Sequence, residues 1–415
     1  MRHGLSDFPL DMADDTSSAG CTQTTPTSAA VGKIRLARRI ARPPLRGRPE
    51  RMRRRHSRPP VAAPTARALP IAICATAVAL MLAGCGHGTS TSSSRDSSVT
   101  HRPPVSVVAN HLAEAGASSA IVAVSERGHN AVATIGSPRP AADQRFRVGS
   151  VTKVFTATLI LQLADKRKLA LDDTLERYLP GIVRAGRQIT IRHLLNHRSG
   201  LANYTDDPAW PRRERRLTRP IQSLRFAVSR PLDFKPGRAW RYSNTNYIAL
   251  GLIIEKITGH TYAHELQQRI LQPLGLRHTQ LATTHRLPDL QDDGINPNAP
   301  WAAGSIVSNA PDLARFFSAL LSGQLVSNTA LQQMKQTVAA ELGVGDGLGI
   351  FSTTTRCGTA WGHNGQILDY STWAQATPDG GRVAIVSARP DTNLLPAEIE
   401  RDVSTLLCTP DAATN

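Results

Sequence analysis

Two β-rich hairpin signals stand at opposite ends of a long segment patterned for helices, and they limit the folds open to this chain. Ala120–Ser125 and Ala131–Gly136 are rich in small and β-branched residues and flank the turn-forming run Glu126–Asn130. Gly and Asn tolerate the backbone angles of a tight turn, so this reads as a hairpin. Tyr370–Ala376 and Arg382–Ser387 repeat the pattern around Pro378, Asp379, Gly380 and Gly381. Between the hairpins, apolar residues recur at helical spacing. Val151–Lys166 reads as a buried helix, Tyr247–Thr258 as a helix ending at Gly259, and Pro311–Leu321 as one ending near Gly323. Residues 190–322 read as mainly helical, and Pro396–Leu407 as a closing helix. The predicted class is α+β: one antiparallel β-sheet built from both ends of the chain, flanked by helices, with a mainly helical region inserted. No internal repeat is present.

The N-terminal part reads as an address. Leu69–Cys85 is apolar, ends in small residues, and follows Arg53, Arg54, Arg55, Arg58 and Arg67, the layout of a secretory signal. The run is shorter than the roughly 20 residues of a spanning helix. Its end, Leu82-Ala83-Gly84-Cys85, resembles a bacterial lipobox, which implies lipidation at Cys85 and export to the outer face of the cell membrane. Residues 85–103 are too polar to bury a core and read as a flexible tether. Met52 opens a basic start to the signal peptide, expected over 52–84, so 1–51 are expected to be a misassigned start or a disordered extension. One compact domain is expected over 104–409, with 410–415 as a tail. The expected state is a monomer.

The net charge of +17 resembles a nucleic-acid signal until it is mapped. Residues 1–85 hold 14 basic and 5 acidic residues, more than half of the excess. The remainder is scattered Arg, and no phosphate-binding Gly loop or nucleic-acid module is present, so no nucleic acid is expected as a partner. The run Arg212, Arg213, Glu214, Arg215, Arg216 reads as a solvated loop. His193 and His197 have the i, i+4 spacing of a helical metal site but no intervening Glu and no third ligand, so no metal is expected. Of five cysteines only Cys357 and Cys408 fall in the folded part. An even pair in an exported chain is a candidate disulfide; two free buried thiols is the other reading.

Three short patterns carry chemistry. Ser-x-x-Lys occurs once, at Ser150 and Lys153, which share a helix face. A serine hydroxyl is a weak nucleophile until a neighbour takes its proton, and a lysine of depressed pKa can do so. Tyr242-Ser243-Asn244 offers a phenol for proton transfer and an amide that can both donate to and accept from a substrate. A basic residue followed at the second position by Gly occurs as Lys235-Pro236-Gly237 and as His363-Asn364-Gly365. A site on a strand edge needs ladder donors that Pro lacks, which favours the second.

In that order, the three patterns resemble those of the serine β-lactamase and D-alanyl-D-alanine peptidase superfamily, in the class C-like branch that includes esterases. The stretches 146–153, 171–180, 189–201, 236–247 and 303–313 add to the resemblance, and the His form with the late cysteine pair resembles secreted D-alanyl-D-alanine carboxypeptidases of actinobacteria. The resemblance implies a β-lactamase/transpeptidase-like fold and acyl transfer without metal or cofactor. Ser150 would be the nucleophile, Lys153 and Tyr242 would manage protons, His363 would complete the catalytic set as a positive or hydrogen-bonding group that orients the substrate, and Asn244, Asn364, Gly365 and Gln366 would bind the substrate. The oxyanion would lie between the N–H groups of Ser150 and Gln366. A D-alanyl-D-alanine carboxypeptidase acting on peptidoglycan peptides or a like small substrate is the leading expectation. An esterase or β-lactamase of the same fold, or a non-catalytic envelope-binding lipoprotein, is the alternative. Two departures weigh against carboxypeptidase specificity: Asn364 replaces the usual Thr, and the segment after Gly347-Leu348-Gly349 has only Arg356 to offer a carboxylate.

Overall fold

The computed structural model describes residues 105–284, 290, 294–340, 344–390 and 396–408. Cys85, the signal peptide, the tether and the tail lie outside the described residues.

Helix α1 (Val105–Glu114) leads into β1 (Ala117–Glu126) and β2 (His129–Gly136). A small sheet joins β3 (Phe146–Arg147), β4 (Gln280–Leu281) and β5 (Ile306–Ser308). The remaining strands are β6 (Val338–Ala339), β7 (Gly345–Asp346), β8 (Phe351–Thr355), β9 (Gly358–Ile367), β10 (Tyr370–Ala376) and β11 (Arg382–Pro390). The large sheet has eight strands in the order β2-β1-β11-β10-β9-β8-β7-β6. Its seam is the antiparallel pair β1 and β11, where Val122 stands opposite Val386. The two ends of the chain therefore build one sheet, in the α+β architecture expected.

Four further long helices are α2 (Thr152–Asp165), α3 (Asn244–Thr258), α4 (Ala310–Leu321) and α5 (Pro396–Cys408). The sheet separates two apolar cores. Side chains alternate across a strand, so Ile121 and Ala123 of β1 join α2, α3 and α4 on one face, while Ala120, Val122 and Val124 join α1 and α5 on the other. On β11, Val383 and Ile385 face the first core, and Ala384, Val386 and Ala388 the second. In the larger core, Phe155 of α2 and Phe316 of α4 stack with ring centroids 3.6 Å apart, both fully buried.

The structure differs from the sequence reading at two places. Helix α3 starts at Asn244, three residues before Tyr247, because Asn244, Thr245 and Asn246 spend polar groups on buried partners rather than on solvent. The inserted region is less regular than expected. Ile191–Leu195, Trp210–Glu214 and Ile221–Val228 are short helices between turns, since Pro, Gly and charged runs interrupt the apolar period. Cys357 and Cys408 are bonded and tie the β8–β9 turn to the end of α5.

Replacing Phe316 by Ala removes one partner of the stack and leaves a cavity in the larger core. The expected loss is about 3–5 kcal/mol of unfolding free energy, read as a fall in the urea midpoint with an unchanged slope.

Candidate active site

Gly149–Val151 forms one 3₁₀ turn that runs into α2. The turn is moored to β5, as Val148 N–H donates to Ile306 O (3.1 Å) and Ile306 N–H donates to Thr152 Oγ1 (3.1 Å). Gly149 takes a φ of +52°, which a side chain would strain. Ser150 thus sits at the helix start, half-exposed, with Lys153 fully buried one turn on.

Lys153 Nζ lies 2.9 Å from Ser150 Oγ, 2.8 Å from Asn244 Oδ1 and 2.8 Å from Ala303 O. Tyr242 OH donates to Ser150 Oγ at 2.7 Å. Tyr242 is positioned by its chain neighbours: Ser243 N–H donates to His197 Nδ1 (3.1 Å) and Asn244 N–H donates to Asn203 Oδ1 (3.0 Å). The His197 ring lies 4.4 Å from the Tyr242 ring, and His197 itself holds a left-handed φ of +56°. His193 accepts Thr190 N–H in a helix cap. The two histidines have separate structural partners. Among the described residues, His260, His264 and Glu265 bring ligand atoms within 4.8 Å of one another. Glu265 is already paired with Arg269 and His260, and none of the three lines the Ser150 cleft.

Strand β9 closes the site. Its pairing with β8 stops at Gly362, so His363–Ile367 form an open edge against the Ser150 turn. A β-carbon on Gly365 would stand 2.0 Å from Val148 O and 2.8 Å from Ser150 N. Only glycine permits that approach. Gln366 follows and lines the cleft. Asn364 does not reach it. It stands opposite Trp373, which belongs to the core under α1 and α5, whereas His363 stands opposite Ala374 of the other core. Lys235 is exposed on a loop, and Arg356 sits in the β8–β9 turn, at the far end of that hairpin from His363.

Burial governs the electrostatics. It pushes the Lys153 amine well below its usual value. It pushes His363 down to about 3, with the Lys153 charge acting the same way. His197 is lowered well below its ordinary value by burial, then by Lys153 and His363. Enclosure of the Tyr242 hydroxyl raises its pKa, against the Ser150 hydrogen bond and with help from the Asp346 charge. His363 is therefore a neutral imidazole stacked on Phe351, centroids 4.3 Å apart. Its Nδ1–H donates to Asn364 O, since a carbonyl can only accept, which leaves Nε2 as an acceptor. Of the two roles expected for His363, hydrogen bonding fits and positive charge does not.

Asp346 is a buried neighbour that sequence reasoning did not single out. Burial pushes its carboxyl well above the usual range. Trp240 Nε1–H donates to Oδ2 at 2.6 Å, and Oδ1 has no partner. No short pattern marks it, because β7 comes beside the site only through the sheet order.

The cleft has a volume of about 230 Å³, and Ser150, Tyr204, Thr205, Asn244, Ala303 and Gln366 are among its walls. None of its lining residues is Lys or Arg. Asn244 Oδ1 and Ala303 O can only accept from Lys153. Lys153 Nζ donates to both and to Ser150 Oγ, and Tyr242 donates to the same hydroxyl oxygen. Burial favours the uncharged amine, and an uncharged amine in this position can accept a proton from the hydroxyl.

Gly365→Ala is expected to lower turnover at least ~10²-fold, the order reached when one oxyanion donor is displaced. Comparing kcat and the unfolding midpoint with the native protein checks it: a kcat within twofold would show that the β9 edge plays no part.

A family model described as Beta-lactamase matches residues 105–402. Penicillin-binding protein 4* of Bacillus subtilis (strain 168) is 29% identical over 272 residues, covering 57% of this chain and 54% of its own length. Penicillin-binding protein 4 of Amycolatopsis lactamdurans is 30% identical over 257 residues, covering 55% of this chain and 64% of its own. This chain thus spans about half to two thirds of the length of those curated relatives. Among solved structures, a D-stereospecific amidohydrolase from Streptomyces sp. is 35% identical with a TM-score of 0.68, over 72% of this chain and 98% of that one.

Proposed function

The chain belongs to the Beta-lactamase family, and on that premise we propose that it is a serine hydrolase whose Ser150 takes an acyl group from D-configured amides. The observation that carries this reading is the position of Ser150 Oγ, 2.9 Å from Lys153 Nζ and 2.7 Å from Tyr242 OH. Lys153 takes the hydroxyl proton as Oγ bonds to the substrate carbonyl carbon. The carbonyl electron pair moves to oxygen, which the N–H groups of Ser150 and Gln366 receive. The tetrahedral species collapses, the C–N bond breaks, and Tyr242 gives its proton to the leaving nitrogen while Lys153 restores it. A water then repeats the attack on the ester and frees Ser150.

The D-stereospecific amidohydrolase at 35% identity supports the D-amide. The cleft's composition favours it over the carboxypeptidase reading. A terminal carboxylate beside the scissile bond finds no lysine or arginine among the lining residues, whereas an amide leaving as a neutral amine needs none. The penicillin-binding relatives support β-lactams as slow acyl donors. We further propose that Cys85 holds the chain at the outer membrane face; its support is the lipobox sequence, and mass spectrometry of the N-terminal peptide tests it. Among the described residues no helix is long and apolar enough to cross a membrane.

Incubation with a fluorescent penicillin and with a D-alanine amide, followed by intact mass, tests the reaction. A mass adduct on Ser150 and Ser150-dependent ammonia release are expected; neither is expected for Ser150→Ala. Lys153→Ala is expected to slow acylation by roughly 10²–10⁴-fold.

The pH dependence has a definite sign. Only neutral Lys153 accepts a proton, so kcat/KM rises as pH rises through the depressed Lys153 pKa, and the limb lies below 10.5. The same shift makes the folded state bind fewer protons than the unfolded chain up to 10.5. Lys153 therefore adds stability with rising pH in that window, and penalises folding below it. A pH profile of kcat/KM with no such limb overturns Lys153 as the base.

A further inference from the structure

A second, larger hollow of about 950 Å³ adjoins the cleft and shares Trp210 with it. Arg212, Arg213 and Arg216 of the run read from sequence as a solvated loop form part of its wall, while Glu214 of the same run lines the Ser150 cleft. Arg212, Arg213, Arg216, Arg225 and Arg230 line it, with no acidic residue among the lining. Arg230 is paired with Asp207. Arg212, Arg213, Arg216 and Arg225 have no carboxylate partner among the described residues. Four like charges around one concavity repel one another, and an anion entering it relieves that repulsion.

The floor is aromatic. Trp210 is buried, with its ring 4.3 Å from Tyr204 and 5.5 Å from Phe226. Arg213 and Arg230 stack over Phe226 at 5.0 and 4.4 Å from its centroid. Stacking holds the Arg213 guanidinium plane and leaves its edge N–H groups open to two-pronged bonds with carboxylate or phosphate, whereas Arg230 is engaged by Asp207 and Phe226 O. Trp210 walls the Ser150 cleft as well, so the two hollows lie on either side of one aromatic side chain.

We infer that the hollow bounded by Arg212, Arg213, Arg216 and Arg225 is a subsite for an anionic extension on the acyl portion of the substrate, remote from the scissile bond. This deepens the serine hydrolase reading and rests on it for turnover. It gives the enzyme a selectivity that the cleft's own lining does not supply, for peptides bearing carboxylates or phosphates ahead of the D-residue.

Two peptide amides of equal length ending in D-alaninamide test it, one with two glutamates before the D-residue and one with two glutamines. The native protein is expected to favour the glutamate peptide about tenfold in kcat/KM at about 0.01 M salt. The preference should shrink at about 0.1 M, where the Debye length falls from about 30 Å to about 10 Å. The double variant Arg212→Ala/Arg216→Ala, both exposed positions, should lower the ratio of the two values about tenfold, and Arg225→Ala on a different helix should lower it too. A ratio near one in the native protein, or an unchanged ratio in both variants, overturns the subsite while leaving Ser150-dependent turnover intact. Calorimetric binding of the glutamate peptide separates the two readings. If no peptide is hydrolysed but the native protein binds it about tenfold more tightly than the double variant does, the subsite stands and the hydrolase reading falls. Equal binding, with or without turnover, overturns the subsite. Phosphoserines in place of the glutamates identify the anion: tighter binding marks phosphate and weaker binding carboxylate, and either order supports an anionic subsite.

Discussion

One buried amine organises this protein. Lys153 comes from α2, takes acceptors from the start of α3 and from Ala303, and reaches Ser150 in the turn that leads into its own helix. Those contacts bind three remote parts of the chain to one nitrogen. Charge on that nitrogen is disfavoured by its enclosure. The same enclosure depresses His197 and His363 and raises Asp346, so the neighbourhood of Ser150 favours neutral groups. A cluster of neutral donors and acceptors at close quarters can pass a proton without first stripping water from an ion.

The second constraint is backbone proximity. Gly365 lets the β9 edge meet the Ser150 turn where a β-carbon would collide with Val148 O, and Gly149 takes the positive φ that the turn requires. The sheet supplies the rigid edge, and the core on each face keeps that edge from moving. The geometry of the candidate site is thus a by-product of a sheet packed on both sides, with the helical layer holding Ser150, Lys153 and Asn244 against it.

Much of this was legible in the sequence, for physical reasons. Period-two and helical patterns survive wherever an element has a buried face, so both hairpins, α2, α4 and α5 were readable. Ser150, Lys153, Tyr242 and Asn244 lie on short local patterns, and the structure brings those four into direct hydrogen bonds. What was not legible depends on which elements become neighbours. Asp346 has no pattern of its own. Asn364 was placed at the substrate by its position between His363 and Gly365, yet strand alternation turns it to the other face. The charge of His363 was open because a ring's protonation is set by enclosure, which no spacing encodes. The arginine run reads as surface, and its four arginines are exposed; what local patterning does not show is that Arg213 stacks on Phe226, which a separate short helix brings beside it.

The seam between β1 and β11 also bears on when the protein can fold. Residues more than 250 positions apart must pair before the central sheet exists, as with Val122 and Val386. Closing so large a loop costs entropy before any contact rewards it. The β1–β2 hairpin is therefore left unpaired along one side until β11 reaches it. An exposed strand edge is a template for pairing with other chains, so the helices and strands that lie between β1 and β11 in sequence decide how long that edge stays open.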